Sequence, residues 1–219
     1  DISNINTIEY DKIAEARIAW RSPSALPVPL PGVPQDLSLA RALIAEARRP
    51  LVIAGLDLVE PQGAAALDRF LTATGAPLLT TYKAKGLVPE DEPRVIGAVG
   101  LSPKADAIIR PLIEAADLIV LAGYDPIEMR QGWRNPWPVG KPVIDIVAEP
   151  IQHGMHHSSL LLAGDVGMTL TRLSEGWAPK TGWPGDEPVT IRKAFRAAFA
   201  APRAWGPHAV FETLRRVAP

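Results

Sequence analysis

The sequence predicts an α/β fold on a six-stranded parallel sheet with helices on both faces. Three observations predict it. Short apolar runs recur along the middle of the chain, as strands buried on both faces require. Helix-period stretches separate most of them, so strand and helix alternate over about 125 residues. Glycine stands where runs end, most clearly at Gly55 and Gly123. The organising stretch is Ala116 to Glu128. Leu118 to Ala122 is apolar without a break, Asp117 and Gly123 bound it, and Pro126 biases Asp125 towards extended backbone.

In order, residues 9–20 read as a helix with Ile13, Ala16 and Trp20 on one face. Pro23, Pro27, Pro29, Pro31 and Pro34 make the next stretch an extended linker, barred from a central strand. No Arg or Lys adjoins its Leu-Pro-Val-Pro-Leu-Pro core, which disfavours an SH3-type ligand. Ser38 is placed to cap a helix through Arg48 with Leu39, Ala42, Leu43 and Ala47 inward. Leu51 to Gly55 is the first strand. Pro61 opens a helix to about Thr74, and Gly75 ends it. Leu78–Thr81 and Val95–Gly97 follow as strands. A helix over Pro103–Ala115 carries Ala107, Ile108, Leu112 and Ile113 as apolar residues. Leu118–Ala122, Pro142–Val147 and Leu160–Ala163 complete the sheet, and Val166–Ser174 closes it as a helix. Between the fourth and fifth strands, Trp133, Asn135, Pro136, Trp137 and Pro138 predict a loop with at most one helical turn. Beyond Gly176 come a Pro- and Gly-rich stretch and two helices, Val189–Ala200 and Pro207–Val217. The organisation is therefore residues 1–37 (helix and linker), 38–176 (Rossmann-like α/β domain) and 177–219 (linker and helices leading to a further domain).

Composition bounds the partners. The 219-residue chain has a formal net charge of −1, so no global field recruits nucleic acid or anionic lipid. No apolar run approaches the roughly 20 residues that span a bilayer. There is no signal-peptide pattern, and a cytoplasmic setting is expected. The absence of cysteine excludes disulfides, thiolate catalysis and Cys-based metal sites.

Open α/β sheets bind ligands just past the carboxyl ends of their strands, which directs attention to Gly123-Tyr124-Asp125. Familiar signatures are missing there. The first strand runs into Ala54-Gly55-Leu56-Asp57-Leu58 rather than GxGxxG, and neither a Walker lysine loop nor a Gly-x-Ser-x-Gly elbow occurs. Lys83 and Lys85, past the second strand, could meet a phosphate, and Asp145 could accept ribose hydroxyls. His153, His156 and His157 are the clustered histidines. A helix would set His153 and His157 on one face, but Gly154 interrupts the stretch and no carboxylate lies within it, so it reads as a loop and no metal site is assigned.

Three segments together resemble the central domain of thiamine-diphosphate enzymes of the acetolactate synthase type. They are Arg49-Pro50-Leu51-Val52-Ile53-Ala54-Gly55; Pro77 through Asp91 with Gly97-Ala98-Val99-Gly100; and Ala116 through Glu128, followed by the Asp145 strand and Gly164-Asp165-Val166. The resemblance spans about residues 38–175. It implies a non-catalytic middle domain of a 2-keto acid carboligase or decarboxylase, active as a homodimer or homotetramer. The family's flanking domains supply an activating glutamate and a Gly-Asp-Gly…Asn motif that holds the cofactor diphosphate through Mg²⁺. Here Gly164-Asp165-Val166 and Gly185-Asp186-Glu187 lack the third glycine, so thiamine diphosphate is not expected to bind this chain by itself. Some members carry FAD or ADP on the central domain. Leu56-Asp57 and Leu101-Ser102 depart from the FAD pattern. The positions matching a nucleotide site are Gly55, Lys85, Gly86, Gly100, Gly123, Tyr124 and Asp145, and no catalytic residue is assigned. The rival reading is a nucleotide-binding regulatory or electron-transfer domain of the same sheet type without thiamine chemistry. An interaction module built on the proline linker is a third.

Overall fold

The computed structural model describes residues 32, 36–60, 62–150, 153–200 and 205–217. The predicted helix at 9–20 and most of the proline linker lie outside them. The chain divides into Asp1–Leu30 and Pro31–Pro219, and every described residue belongs to the second unit.

The elements are α1 (Ser38–Glu46), β1 (Pro50–Ala54), α2 (Gly63–Thr74), β2 (Leu78–Thr80), β3 (Val95–Ala98), α3 (Pro103–Ala115), β4 (Leu118–Ala122), β5 (Val143–Val147), β6 (Leu160–Ala163), α4 (Val166–Ser174), α5 (Glu187–Ala198) and α6 (Pro207–Val217). All pairings are parallel, in the order β3-β2-β1-β4-β5-β6. The order reverses between β1 and β4, which places the switch-point crevice of a doubly wound sheet at the ends of those two strands.

Strand side chains alternate between faces, and both faces are covered. Val52, Ala54, Leu78, Val120, Ile144 and Ile146 pack with Phe70 and Leu71 of α2 and Leu170 and Leu173 of α4. Leu51, Ile53, Leu79, Ile119, Leu121 and Val143 pack on the other face with Ile109, Leu112 and Ile113 of α3 and with Trp133, Trp137 and Trp183. This two-sided burial is why β1 and β4 read as unbroken apolar runs. Truncating a fully buried anchor such as Phe70 would cost about 3–5 kcal/mol.

Several local expectations need correction. α1 ends at Glu46, and Ser38 is its first residue rather than its cap; Asp36 Oδ1 accepts the Ser38 N–H at 2.9 Å. Its buried residues are Ala40 and Ile44, while Leu39 is exposed. The inward face was misphased because six apolar residues in nine fit more than one helical stripe. α2 starts at Gly63. In α3 the buried face is Ala105, Ile109, Leu112 and Ile113, with Ala107 exposed.

The helix ends are satisfied by identifiable groups. Gly75 adopts φ +66° and its N–H returns to Leu71 O at 2.8 Å. Ser102 Oγ accepts from Ala105 N at the start of α3. Lys141 Nζ donates to the Ile113, Glu114 and Ala116 carbonyls at the end of α3, and burial holds its pKa below the ordinary lysine value.

The stretch after Gly176 is irregular but anchored. Lys180 N bonds Thr72 O, and the Trp183 indole donates to Pro50 O at 2.7 Å. α5 starts at Glu187, earlier than expected, and lies across β3. Phe195 sits over Gly97, where a Cβ would come within 2.7 Å of its ring, and Arg192 donates to Val95 O. α6 keeps Val210, Phe211, Leu214 and Val217 exposed.

Candidate functional site

The carboxyl ends of β1 and β4 meet almost backbone to backbone. A Cβ on Gly55 would stand 2.3 Å from Gly123 O and 2.6 Å from Tyr124 Cα. Gly55 N donates to Ala122 O at 2.9 Å, and Asp57 N to Gly123 O at 3.2 Å. The short 3₁₀ turn Leu56–Leu58 then folds against Gly123, whose φ of +66° requires a glycine. At the switch point, where a dinucleotide sheet opens to a pyrophosphate, this chain is filled by its own turn. Gly55 and Gly123 are explained by that close approach.

Gly100 ends the β3 connection in the left-handed region, φ +89°, and a Cβ there would strike Met129 Sδ at 1.8 Å. Its N–H donates to Asp106 Oδ1 at 2.8 Å. Asp106 is 1% exposed, and its Oδ2 takes Nη2 of Arg130 at 2.7 Å and Nε at 3.1 Å. Arg130 N returns to Gly100 O. This buried ion pair ties α3 to the loop after β4. Neither residue was singled out from sequence. The signal was Asp106, a charge on the inward side of a helix whose other inward residues are apolar.

Lys85 and Gly86 lie elsewhere. Lys85 is paired with Glu90 and borders a hollow of about 720 Å³ beside β3, with Phe195, Arg196 and Arg215. Gly86 has φ +87° and open space where its Cβ would be. Lys83 stands over the Tyr82 ring at 5.7 Å. The two lysines do not converge with the switch point on one phosphate cradle.

Asp145 and Tyr124 do converge, through a residue the sequence had placed in a loop. Asp145 is 3% exposed, and its Oδ2 lies 3.1 Å from Nε2 of His156. His156 is buried edge-on against Tyr124 and Trp137, ring centroids 5.3 and 5.1 Å away. The Trp133 indole donates to Tyr124 OH at 2.9 Å, and the Trp137 indole to His157 O at 3.0 Å. His153 stacks tilted on His156 at 4.4 Å. Its pKa is lowered by burial and by the neighbouring His156, against the opposing pull of Asp145 and Asp125. The stretch is a loop, as its glycine predicts, but it buries His156 rather than leaving it solvated. Residues 153–159 are not helical, His157 is exposed, and the partners are His153 and His156. Asp145 is thus engaged by a histidine rather than presented to a ribose.

The two Gly-Asp motifs have local work. Asp165 Oδ1 caps α4 through Met168 N at 2.7 Å, and Glu187, after Gly185-Asp186, pairs with Arg49 at 3.1 Å. Asp165 is thus spent on the chain's own helix and Glu187 on the linker, while Asp186 makes no side-chain cap bond. Among the described residues, neither motif fits a diphosphate and its cation.

Compared with known proteins, residues 37–173 match the family model of the thiamine pyrophosphate enzyme central domain. The chain belongs to that family. Its curated relatives include the acetolactate synthase of Bacillus subtilis, 29% identical over 148 residues, which are 65% of this chain and 25% of the relative. The glyoxylate carboligase of Escherichia coli O157:H7 is 27% identical over 152 residues, 68% of this chain and 26% of the relative. A probable 2-ketoarginine decarboxylase of Pseudomonas aeruginosa is 32% identical over 149 residues, 65% and 25%. The chain therefore spans about a quarter of the length of these relatives. A solved chain described as a thiamin diphosphate-dependent enzyme from Mycobacterium smegmatis superposes with a TM-score of 0.57 at 22% identity, covering 86% of this chain and 36% of its own; this likeness shows the fold. The acetolactate-synthase-type central-domain reading stands, and the rival reading without thiamine chemistry gains no support. Among the described residues, no helix is long and apolar enough to cross a membrane.

Proposed function

We propose that this domain serves a thiamine-diphosphate-dependent enzyme that joins or decarboxylates 2-keto acids, as a rigid scaffold between catalytic domains of the same polypeptide. The observation that carries the reading is the family match over residues 37–173, which coincides with the sheet from β1 to β6. The names of the relatives supply the reaction class, a carboligation or decarboxylation. Thiamine diphosphate and Mg²⁺ are assigned to the other domains of the parent, because both Gly-Asp motifs here lack the third glycine and Asp165 is spent on capping α4. A cytoplasmic homodimer or homotetramer is the assembly we infer for that parent.

The filled switch point supports the scaffold role over a flavin role. With Leu56–Leu58 seated on Gly123 and Met129 seated on Gly100, the glycines of the matched nucleotide positions at the β1, β3 and β4 exits are packed against protein. Pyruvate and a panel of larger 2-keto acids, given to the intact parent with thiamine diphosphate and Mg²⁺, should release CO₂. No turnover on any of them would refute the enzymatic reading. Calorimetry of this chain with FAD and with ADP should show no binding. Tight binding of either would refute the scaffold reading and reinstate Gly55, Gly86, Gly100, Gly123, Tyr124 and Asp145 as a nucleotide site.

A further inference from the structure

The Asp145–His153–His156 cluster has no part in the scaffold reading and does not depend on it. One donor atom from each of the three residues lies within 4.8 Å of the other two. Two donors in the cluster are unspent. Asp145 Oδ1 and His156 Nδ1 are buried without a hydrogen-bond partner, in side chains only 5% and 1% exposed. Buried polar atoms left unpaired are costly, so the cluster calls for a missing partner. Asp145 Oδ2 and His156 Nε2 are 3.1 Å apart, close to the spacing of two donors on one dication.

The surroundings are built for such a cluster. Asp145 is fixed in the middle of β5, between Leu121 of β4 and Leu161 of β6. The loop carrying the histidines is tied down at Asn135 N to Met155 O and at the Trp137 indole to His157 O. Trp137 and Tyr124 wall His156 off from water. His153 is the adjustable member. Its neighbour Gly154 has φ +59° and open space beside it, which lets the ring close on an ion. Donors of a tetrahedral zinc-type site sit about 3.3 Å apart, so the cluster needs to contract by about 1.5 Å at most. A hollow of about 700 Å³, bordered by Pro126, Gln131, Arg134, His153 and Met155, opens onto this side and leaves room for an exchangeable fourth ligand.

We propose that Asp145, His153 and His156 form a binding site for a divalent transition-metal ion of the zinc class. Two imidazoles and one carboxylate favour zinc, cobalt or nickel over the hard, octahedral Mg²⁺. The ion pins the 153–158 loop to the end of β5.

The test uses the 219-residue chain, stripped with a chelator and titrated with Co²⁺ followed by its visible d–d absorption, and with Zn²⁺ by calorimetry. One equivalent is expected to bind at micromolar affinity or tighter, and Mg²⁺ should give no response. Excess Zn²⁺ should raise Tm by several degrees. His153→Ala, at a partly exposed loop residue, should weaken binding at least tenfold. His157→Ala, at an exposed neighbour, should leave it unchanged. Absence of Co²⁺ and Zn²⁺ binding would overturn the proposal. So would a His153→Ala variant that binds like the parent chain, or binding abolished by His157→Ala, which would mark an adventitious surface site.

Discussion

Gly55→Ala isolates one steric effect. The backbone at Gly55 has φ −130°, which any residue adopts, so no conformational strain enters. The new methyl would lie 2.3 Å from Gly123 O and 2.6 Å from Tyr124 Cα, both main-chain atoms that no rotamer change can remove. Relaxation to an ordinary carbon–oxygen contact of about 3.3 Å requires the β1 and β4 exits to part by about 1 Å. That separation stretches the bonds from Gly55 N to Ala122 O and from Asp57 N to Gly123 O. Overpacking contributes about 1–3 kcal/mol, and two weakened backbone bonds about 1 kcal/mol each. The stiffer unfolded chain returns about 0.4–1 kcal/mol. The net loss is about 2–4 kcal/mol, a large share of a typical domain's stability. Urea denaturation followed by tryptophan fluorescence should shift its midpoint down by about 1–1.5 M, at an m-value of about 2–3 kcal/mol/M. Gly86→Ala is the control. It meets open space but sits at φ +87°, so only a backbone penalty of about 1–2 kcal/mol applies. A Gly55→Ala midpoint unchanged within about 0.2 M, or a smaller loss than for Gly86→Ala, would refute the claim that the switch point is closed by contact.

Three further outcomes are expected. Asp106→Asn should lower stability by about 2–3 kcal/mol in thermal melts, because Arg130 loses its buried carboxylate while keeping some access to water. An unchanged melt would show that the pair ties nothing together. Trp183→Phe removes the indole donor to Pro50 O and should cost about 1–2 kcal/mol by urea denaturation, with the linker at 177–186 becoming the first site of limited proteolysis. For Glu60, burial and the nearby negative charge of Asp165 hold the pKa above the ordinary carboxylate value. A raised folded pKa means its contribution is full below the unfolded value and is lost as pH rises through the folded one. Glu60→Gln should therefore stabilise the chain at pH 7 by a few tenths of a kcal/mol at this exposed position, and the gain should vanish in acid. A gain that grows as pH falls would reverse the assignment.

The sheet was legible in the sequence because its strands are short, apolar on both faces and bounded by Gly, Pro or Asp. β4, β6, α3 and α4 appear with the predicted boundaries. Such patterns are local, and the residues that create them are neighbours in the chain. The inward stripe of α1 was less legible, because several apolar residues competed and only the packed partner chooses among them.

The site divides along the same line. Sequence alone determined the layered α/β domain, the glycines at the strand exits and the resemblance to the thiamine-diphosphate family. Tertiary structure alone decided what those glycines do. Gly55 meets Gly123 across 68 positions, and contact between parallel neighbours depends on which strand lies beside which. It also decided that Asp145 faces His156, eleven residues on and across a loop, and that Asp106 pairs with Arg130. Burial raises the cost of each unpaired charge or polar atom, so these groups are defined by what the fold brings to them, and no spacing along the chain encodes it.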